Sequence, residues 1–351
     1  MLDVSLQKQL DNFTLDVSFQ VNNGITAILG PSGCGKSLTL QCLAGLQVPD
    51  KGKIVLHDRT LFDTSNKTAI KTRRRNIGYV FQNYALFPHL TVKENIAFGI
   101  KNVYKKAQLE EKVGQMIAKI QLQDFEKHYP RQLSGGQQQR VALGRTLITN
   151  PELLLLDEPF SALDHHVKHQ LEQELLAIIQ QNFSGVVLLV THNMEEAYRL
   201  SDQIILLKQG RVIQSGAKET VFQRPETISA AQIIGCKNIL PIDALELKRD
   251  FIQCTIQGLT IAMDNHSCTD GLTHIGIHAE NIQFVNSKKE HEYNTFQYEI
   301  VDMISGINQT HLTLKVHQLL IYAVVPNHQL KETLTCSNIY LPENQLFLLA
   351  Q

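Results

Sequence analysis

Residues 30–37 read Gly30-Pro-Ser-Gly-Cys-Gly-Lys36-Ser37. They lie between the short apolar run Ile25–Leu29 and a segment, Ser37–Leu46, with helical spacing. A strand, a glycine-rich loop ending in Lys-Ser and a helix together make a cradle for a chain of phosphates. Gly30, Gly33 and Gly35 let the backbone curl so that successive N–H groups point inward, with Pro31, Ser32 and Cys34 completing the loop. The helix N-terminus adds partial positive charge at the same place. Lys36 brings a full charge to the β- and γ-phosphates, and Ser37 offers its hydroxyl to Mg²⁺. The plainer alternative is a tight turn with an incidental lysine. Cys34 reads as a small space-filler, or as a thiol whose pKa the loop lowers.

Such a loop requires an α/β setting, and the first 235 residues supply one. Leu15, Val17, Phe19 and Val21 alternate with polar residues, as in a half-buried strand. Leu153–Leu156, Val186–Val190 and Ile204–Leu207 read as strands, and His166–Gln181 as a helix. Lys105 to Ile148 is mostly helical, with a break at Ser134–Gly136. Strands alternating with helices imply a parallel sheet. After Gly235 the texture changes to short strands separated by turns, such as Phe251–Ile256 and Thr310–Val316. That stretch predicts a small all-β domain, with two similar halves.

Leu153-Leu-Leu-Leu-Asp157-Glu158 delivers two carboxylates at the end of a buried strand, where open α/β sheets build their sites. Asp157 is placed to hold Mg²⁺. Glu158 points elsewhere by strand alternation, which suits a general base for water. His192, after the strand Val186–Val190, is placed to reach the γ-phosphate. Gln82, after the strand Ile77–Phe81, is placed to position water or metal.

Ser134-Gly135-Gly136-Gln137 precedes a helix, with Ser134 as N-cap and two glycines exposing N–H groups to an anion. A capped helix start is the plainer role. Two phosphate readers roughly 100 residues apart, with no second lysine and metal ligand, fit a two-fold dimer. Each nucleotide would then sit between one chain's phosphate loop and the other chain's Ser-Gly-Gly.

In order and spacing, Gly30–Ser37, Gln82, Leu133–Gln137, Leu153–Glu158, Ser161-Ala-Leu-Asp164 and His192 resemble the motifs of ABC transporter ATPases, and the resemblance runs through residues 1–235. It implies a RecA-like P-loop α/β core with an antiparallel β portion and a helical subdomain. It also implies ATP and Mg²⁺ as ligands and a head-to-tail homodimer. Carried over by position, Ser134, Gly135 and Gln137 would contact the ATP held by the other chain, and Asp164 would lie at the dimer seam. Gln82 would sense the γ-phosphate, and Tyr84–Leu90 would lie where a membrane subunit docks. Phe13 is the nearby aromatic for stacking on adenine, with core packing as its competing role. Asn193 stands where many relatives have Asp.

One cassette followed by a β tail resembles the ATPases of bacterial importers. Those work under two membrane-spanning permease subunits and, through them, with a periplasmic or extracellular solute-binding protein, which places the chain at the cytoplasmic face of the cell membrane. Asn23–Gly30, Gly235–Ile239 and Gly276–Asn281 look like the molybdate/tungstate branch. The tail, especially Tyr298–Val325, looks like the OB-like (MOP/TOBE-type) domains of that branch and of its sulfate, ferric and polyamine neighbours. The expected domains are an ABC ATPase at 1–235 and an all-β regulatory domain at 236–351. The expected function is ATP hydrolysis energising molybdate or tungstate import. Sulfate/thiosulfate, ferric iron or polyamine import is the alternative, and a non-transport ABC ATPase acting on ribosome or DNA is the rival of another class. Those rivals usually carry two cassettes or an inserted coiled coil, and neither is visible in this sequence.

A net charge of −1 gives no support for a nucleic-acid partner. With 43% hydrophobic and 19% charged residues, the chain is too apolar to be disordered. No run reaches the roughly 20 apolar residues of a spanning helix, and the N-terminus lacks a signal-peptide layout, so the chain is expected in the cytosol. Six cysteines at 34, 42, 236, 254, 268 and 336, none in C-x-x-C pairs, are expected as free thiols. Lys71-Thr-Arg-Arg-Arg75 reads as an exposed turn, and His165, His166 and His169 as a solvated helix face.

Overall fold

Asp11 and Asn12 join two runs of alternating apolar residues by a tight hairpin, so the chain starts antiparallel. The computed structural model describes residues 1–161, 165–249, 251–264, 271–286 and 293–351, with residues 165–167 described as backbone only. Asp164, Cys268 and the side chains of His165 and His166 lie outside the described residues. The chain divides into two units, Met1–Lys218 and Glu219–Gln351.

The strands of the first unit are β1 (Leu2–Leu10), β2 (Phe13–Val21), β3 (Gly24–Leu29), β4 (Lys51–Leu56), β5 (Arg59–Asp63), β6 (Thr68–Ala69), β7 (Ile77–Val80), β8 (Leu153–Asp157), β9 (Val186–Thr191), β10 (Gln203–Lys208) and β11 (Arg211–Ala217). They form one sheet in the order β6-β5-β4-β1-β2-β11-β10-β3-β9-β8-β7. The run β10-β3-β9-β8-β7 is parallel throughout. The pairs β1–β2, β1–β4, β4–β5, β5–β6 and β10–β11 are antiparallel. The sheet is therefore mixed rather than parallel, because short hairpin connections cannot join parallel neighbours.

The helices are α1 (Lys36–Ala44), α2 (Val92–Ala97), α3 (Lys106–Lys119), α4 (Gly135–Leu147), α5 (His165–Asn182) and α6 (Met194–Leu200). Strand β8 shows why the central strands are apolar without alternation. Leu153 and Leu155 enter a cluster with α1 and β1, β2 and β4, while Leu154 and Leu156 enter a cluster with α2–α5. Both faces are covered, so both must be apolar. The connection from β7 to β8 holds α2, α3 and α4. The helical pattern breaks between Lys119 and Ser134 rather than at the glycines, because Ser134 closes a capping box with Gln137 and starts α4 at Gly135.

The basic run at 71–75 is exposed at Lys71, Arg73 and Arg74, but Arg75 is only 2% exposed. Its guanidinium donates to the carbonyls of Ile70, Cys42 and Leu43, the last two in the closing turn of α1. A buried fork thus reaches two carbonyls of the helix end, of which that of Cys42 also accepts from the Gly45 N–H. The expectation of a wholly exposed turn is corrected at that residue.

The second unit contains α7 (Lys218–Gln223) from its second residue onward, α8 (Ile228–Ile233) and α9 (Leu330–Thr333). Among the described residues its strands form four three-stranded sheets. The first is β12 (Asn238–Pro241), β16 (Leu272–Ile277) and β23 (Phe347–Ala350), and the second is β13 (Ala244–Leu247), β14 (Phe251–Ile256) and β15 (Leu259–Asp264). The third is β17 (Gln283–Val285), β22 (Asn338–Tyr340) and β18 (Thr295–Gln297), and the fourth is β19 (Glu299–Ser305), β20 (Gln309–Val316) and β21 (Leu319–Pro326). The second and fourth are antiparallel meanders. All four sheets feed one apolar cluster that includes Ile252, Ile275, Leu314, Ile321 and Ile339. Residues 219–235 belong to this unit, since Thr227 bridges Ala350 and the Ala350 N–H donates to Glu226.

Candidate active site

The parallel strands end in register. Leu29 pairs with Thr191, Asp157 with Val190, and Val80 with Leu156. The residues that follow these ends are the phosphate loop, His192, Glu158 and Gln82. The topology therefore brings that part of the sequence-predicted set to one edge of the sheet, the carboxyl edge where open α/β folds bind ligands.

Gly35, at φ +107°, turns the chain into α1, and its carbonyl accepts from the Thr39 N–H and hydroxyl at 2.9 Å each. The Gly30 position leaves no room for a side chain, as a Cβ would stand 2.1 Å from the Leu207 carbonyl oxygen. Lys36 is 5% exposed, and its ammonium donates to the Gly30 and Pro31 carbonyls at 2.8 and 3.0 Å. The loop is thus closed on its own cation. Burial pushes the Cys34 thiol up despite the nearby Lys36 charge, so the space-filling reading of Cys34 fits and a lowered pKa does not. The ring of Phe13 lies against Gly35 and the adjoining core, which agrees with packing as its role.

Asp157 is held at both oxygens. Ser37 Oγ donates to Oδ1 and Tyr79 Oη to Oδ2, each at 2.8 Å, and the residue is 8% exposed. A serine hydroxyl touching a carboxylate is an oxygen donor set that suits a hard cation such as Mg²⁺. Burial and then the Asp157 charge push the Tyr79 hydroxyl far above its ordinary range, so it stays a donor. Tyr79 was missed from sequence, although it stands in the same strand as the signal that leads to Gln82.

Glu158 is turned away from Asp157 by the backbone. Strand β8 stops at Asp157, and Glu158 adopts φ +45°, a left-handed conformation disfavoured for a side chain of its size. Strand alternation was the expected cause, and the turn replaces it. The conformation is pinned, since the Glu158 N–H donates to Val190 and its carbonyl accepts from the Ser161 N–H and hydroxyl. Its Oε1 stands 3.3 Å from Nδ1 of His192, whose side chain is 57% exposed. Gln82 is exposed in the turn after β7 and is bonded to none of these groups.

The second reader stands apart. The Ser134 hydroxyl accepts from the Gln137 N–H, and the Gln137 side chain accepts from the Ser134 N–H. No hydrogen bond joins this segment to Lys36, Ser37, Asp157 or Glu158. Gly136 has a packing reason of its own, as a Cβ there would meet Leu171 of α5 at 2.6 Å.

Comparison with known proteins agrees with this arrangement. The ABC transporter family model matches residues 14–161. A sulfate/thiosulfate import ATP-binding protein of Synechocystis sp. is 41% identical over 244 residues, 68% of this chain and 67% of that protein. A spermidine/putrescine import ATP-binding protein of Haemophilus influenzae is 38% identical over 250 residues, 70% of this chain and 65% of that protein. An Fe(3+) ions import ATP-binding protein of the same species is 38% identical over 262 residues, 73% of this chain and 71% of that protein. The chain thus spans about two thirds of the length of these relatives. Among solved structures, a dimeric ATP-binding cassette in a post-hydrolysis state with ADP and Pi aligns at TM-score 0.51 and 29% identity, over 62% of this chain and 99% of that one. The cbiO1 subunit of a Clostridium perfringens ABC transporter complex aligns at TM-score 0.56 and 27% identity, over 63% of this chain and 90% of that one. These matches, together with the strand-edge site, show that the chain belongs to the ABC transporter ATPases of the importer type.

Proposed function

We propose that this chain binds and hydrolyses ATP as a homodimer beneath two membrane-spanning permease subunits, at the cytoplasmic face of the membrane, and so energises uptake of a solute delivered by a binding protein. Among the described residues no helix is long and apolar enough to cross a membrane, in keeping with attachment through a partner. The observation that carries the reading is the separation of two carboxylates on adjacent residues. Asp157 is tied to Ser37 and Tyr79, while Glu158 is turned toward His192. Ser37 and Asp157, joined by Gln82, would hold Mg²⁺, which supplies charge neutralisation on the phosphate oxygens. Gly30–Ser37 wrap the phosphates, and Lys36 exchanges two loop carbonyls for phosphate oxygens. Glu158 accepts the proton of the attacking water, and His192 orients Glu158 and meets the γ-phosphate. Ser134, Gly135, Gly136 and Gln137 complete the site held by the other chain.

The segments Asn23–Gly30 and Gly276–Asn281 favour molybdate or tungstate, whereas the names of the relatives favour sulfate/thiosulfate, polyamine or ferric iron. We place an oxyanion first, with sulfate/thiosulfate ahead of molybdate. The 236–351 domain is then an OB-like regulator of transport. The test pairs a variant with a competition assay. Glu158→Gln is expected to bind ATP at wild-type affinity, dimerise in its presence and turn over at least 100-fold more slowly. Uptake of labelled sulfate is expected to stop in cells carrying it. Turnover at wild-type rate removes Glu158 as base. Uptake of labelled molybdate that resists excess sulfate reverses the order of solutes.

A further inference from the structure

His192 presents a difficulty of position. Its side chain is more exposed than buried, yet it stands 3.3 Å from Glu158. An imidazole that wet is not held by its own packing, so its neighbours must hold it. Both do so through one residue. Thr191 is buried, and its hydroxyl donates to Glu196 Oε2 at 2.6 Å and accepts from the Asn193 N–H at 3.0 Å. Asn193 caps α6 by accepting from the Glu196 N–H at 3.0 Å. Glu196 therefore grips the residue on each side of His192, one by its carboxylate and one by its backbone.

The carboxylate does more than capping needs. Glu196 is 4% exposed, and a buried charge costs stability unless it is paired. Its other oxygen pairs with Lys168 in the first turn of α5. That helix is the one reached from β8 through the Glu158–Ser161 turn. Glu196 thus links Thr191, the residue before His192, to α5. Lys168 and Glu196 join α5 to α6.

We propose that Glu196 is a positioning residue for His192, and that its pair with Lys168 fixes the carboxylate through which it holds Thr191 and so keeps His192 against Glu158. The inference rests on the assignment of His192 and Glu158 above. A cap alone would use Asn193 and leave the carboxylate free, so the pair with α5 is the part that a capping role does not explain.

The test is a double-mutant cycle read by steady-state ATPase kinetics of the full chain. Glu196→Gln still accepts from Thr191 but loses the lysine. It is expected to lower kcat about tenfold and leave KM for ATP within twofold. Lys168→Met, on the half-exposed side of the pair, is expected to match it, which keeps the test open if Glu196→Gln fails to fold. Lys168→Arg is expected to stay within threefold of wild type. In a His192→Ala background, either substitution should cost less than twofold more. Equal losses in both backgrounds, or no loss in the wild-type background, overturn the proposal, since Glu196 would then act on stability alone. His192→Ala at wild-type turnover instead overturns the His192 assignment, and the positioning role falls with it. The single variant thus tells the two failures apart.

Discussion

At the scale of single residues, the site depends on what surrounds each carboxylate. Asp157 needs a fixed orientation, and Tyr79 supplies half of it from β7. Tyr79→Phe leaves one buried oxygen without a donor, which costs roughly 1–3 kcal/mol of stability. The Mg²⁺ concentration for half-maximal ATPase activity is expected to rise about three- to tenfold, and an unchanged midpoint would show that Ser37 alone orients Asp157. Glu158 illustrates the limit of residue-level reading. Its place after an apolar strand was legible, because acids at a strand end sit at the carboxyl edge. Its φ of +45° was not, since nothing about a glutamate announces a left-handed backbone. That conformation follows from the bonds to Val190 and Ser161.

At the scale of elements, α1 is fixed at both ends by different means. Its N-terminus is set by the local sequence, through the glycine at 35 and the loop before it. Its C-terminus is closed by Gly45 at φ +76°, whose N–H donates to the Cys42 carbonyl, and is tied from outside by Arg75, which comes from a turn some 30 residues later. A lysine there would lose the planar fork that spreads its donors over Ile70 on one side and Cys42 and Leu43 on the other, because an ammonium is a compact point charge. Arg75→Lys is expected to cost about 2–4 kcal/mol in urea unfolding. Wild-type stability would mean that water replaces the guanidinium. The start of α4 was the readable part. Ser134 and Thr91 both close capping boxes, which depend on residues three apart. The tie from Arg75 to the last turn of α1 leaves no such trace.

At the scale of the molecule, the two units have separate cores, each with a deeply buried thiol. Cys42 in the first and Cys236 in the second are both pushed up to about 11 by burial, from 9.0. A thiol that holds its proton more tightly when folded contributes stability fully below its unfolded pKa. That contribution is lost as pH rises through the folded value. The stability of both units is therefore expected to fall between pH 9 and 11, by at most about 2–3 kcal/mol for each thiol. Thermal melts over that range test this, and Cys42→Ala should flatten the pH dependence of the first unit alone. A fall of the same size in both variant and wild type assigns the effect to other groups. The sequence by itself determined the phosphate loop, the acid pair after β8, the capped start of α4 and the change from α/β to all-β texture. Each of these is written in spacings of a few residues, where backbone geometry and hydrophobic period act. Only the tertiary structure decided that Tyr79 serves Asp157, that Arg75 reaches the last carbonyls of α1 and that Glu196 meets Lys168. Those bonds join groups tens of residues apart in the chain, and the packing of strands and helices, not local spacing, brings their atoms within reach.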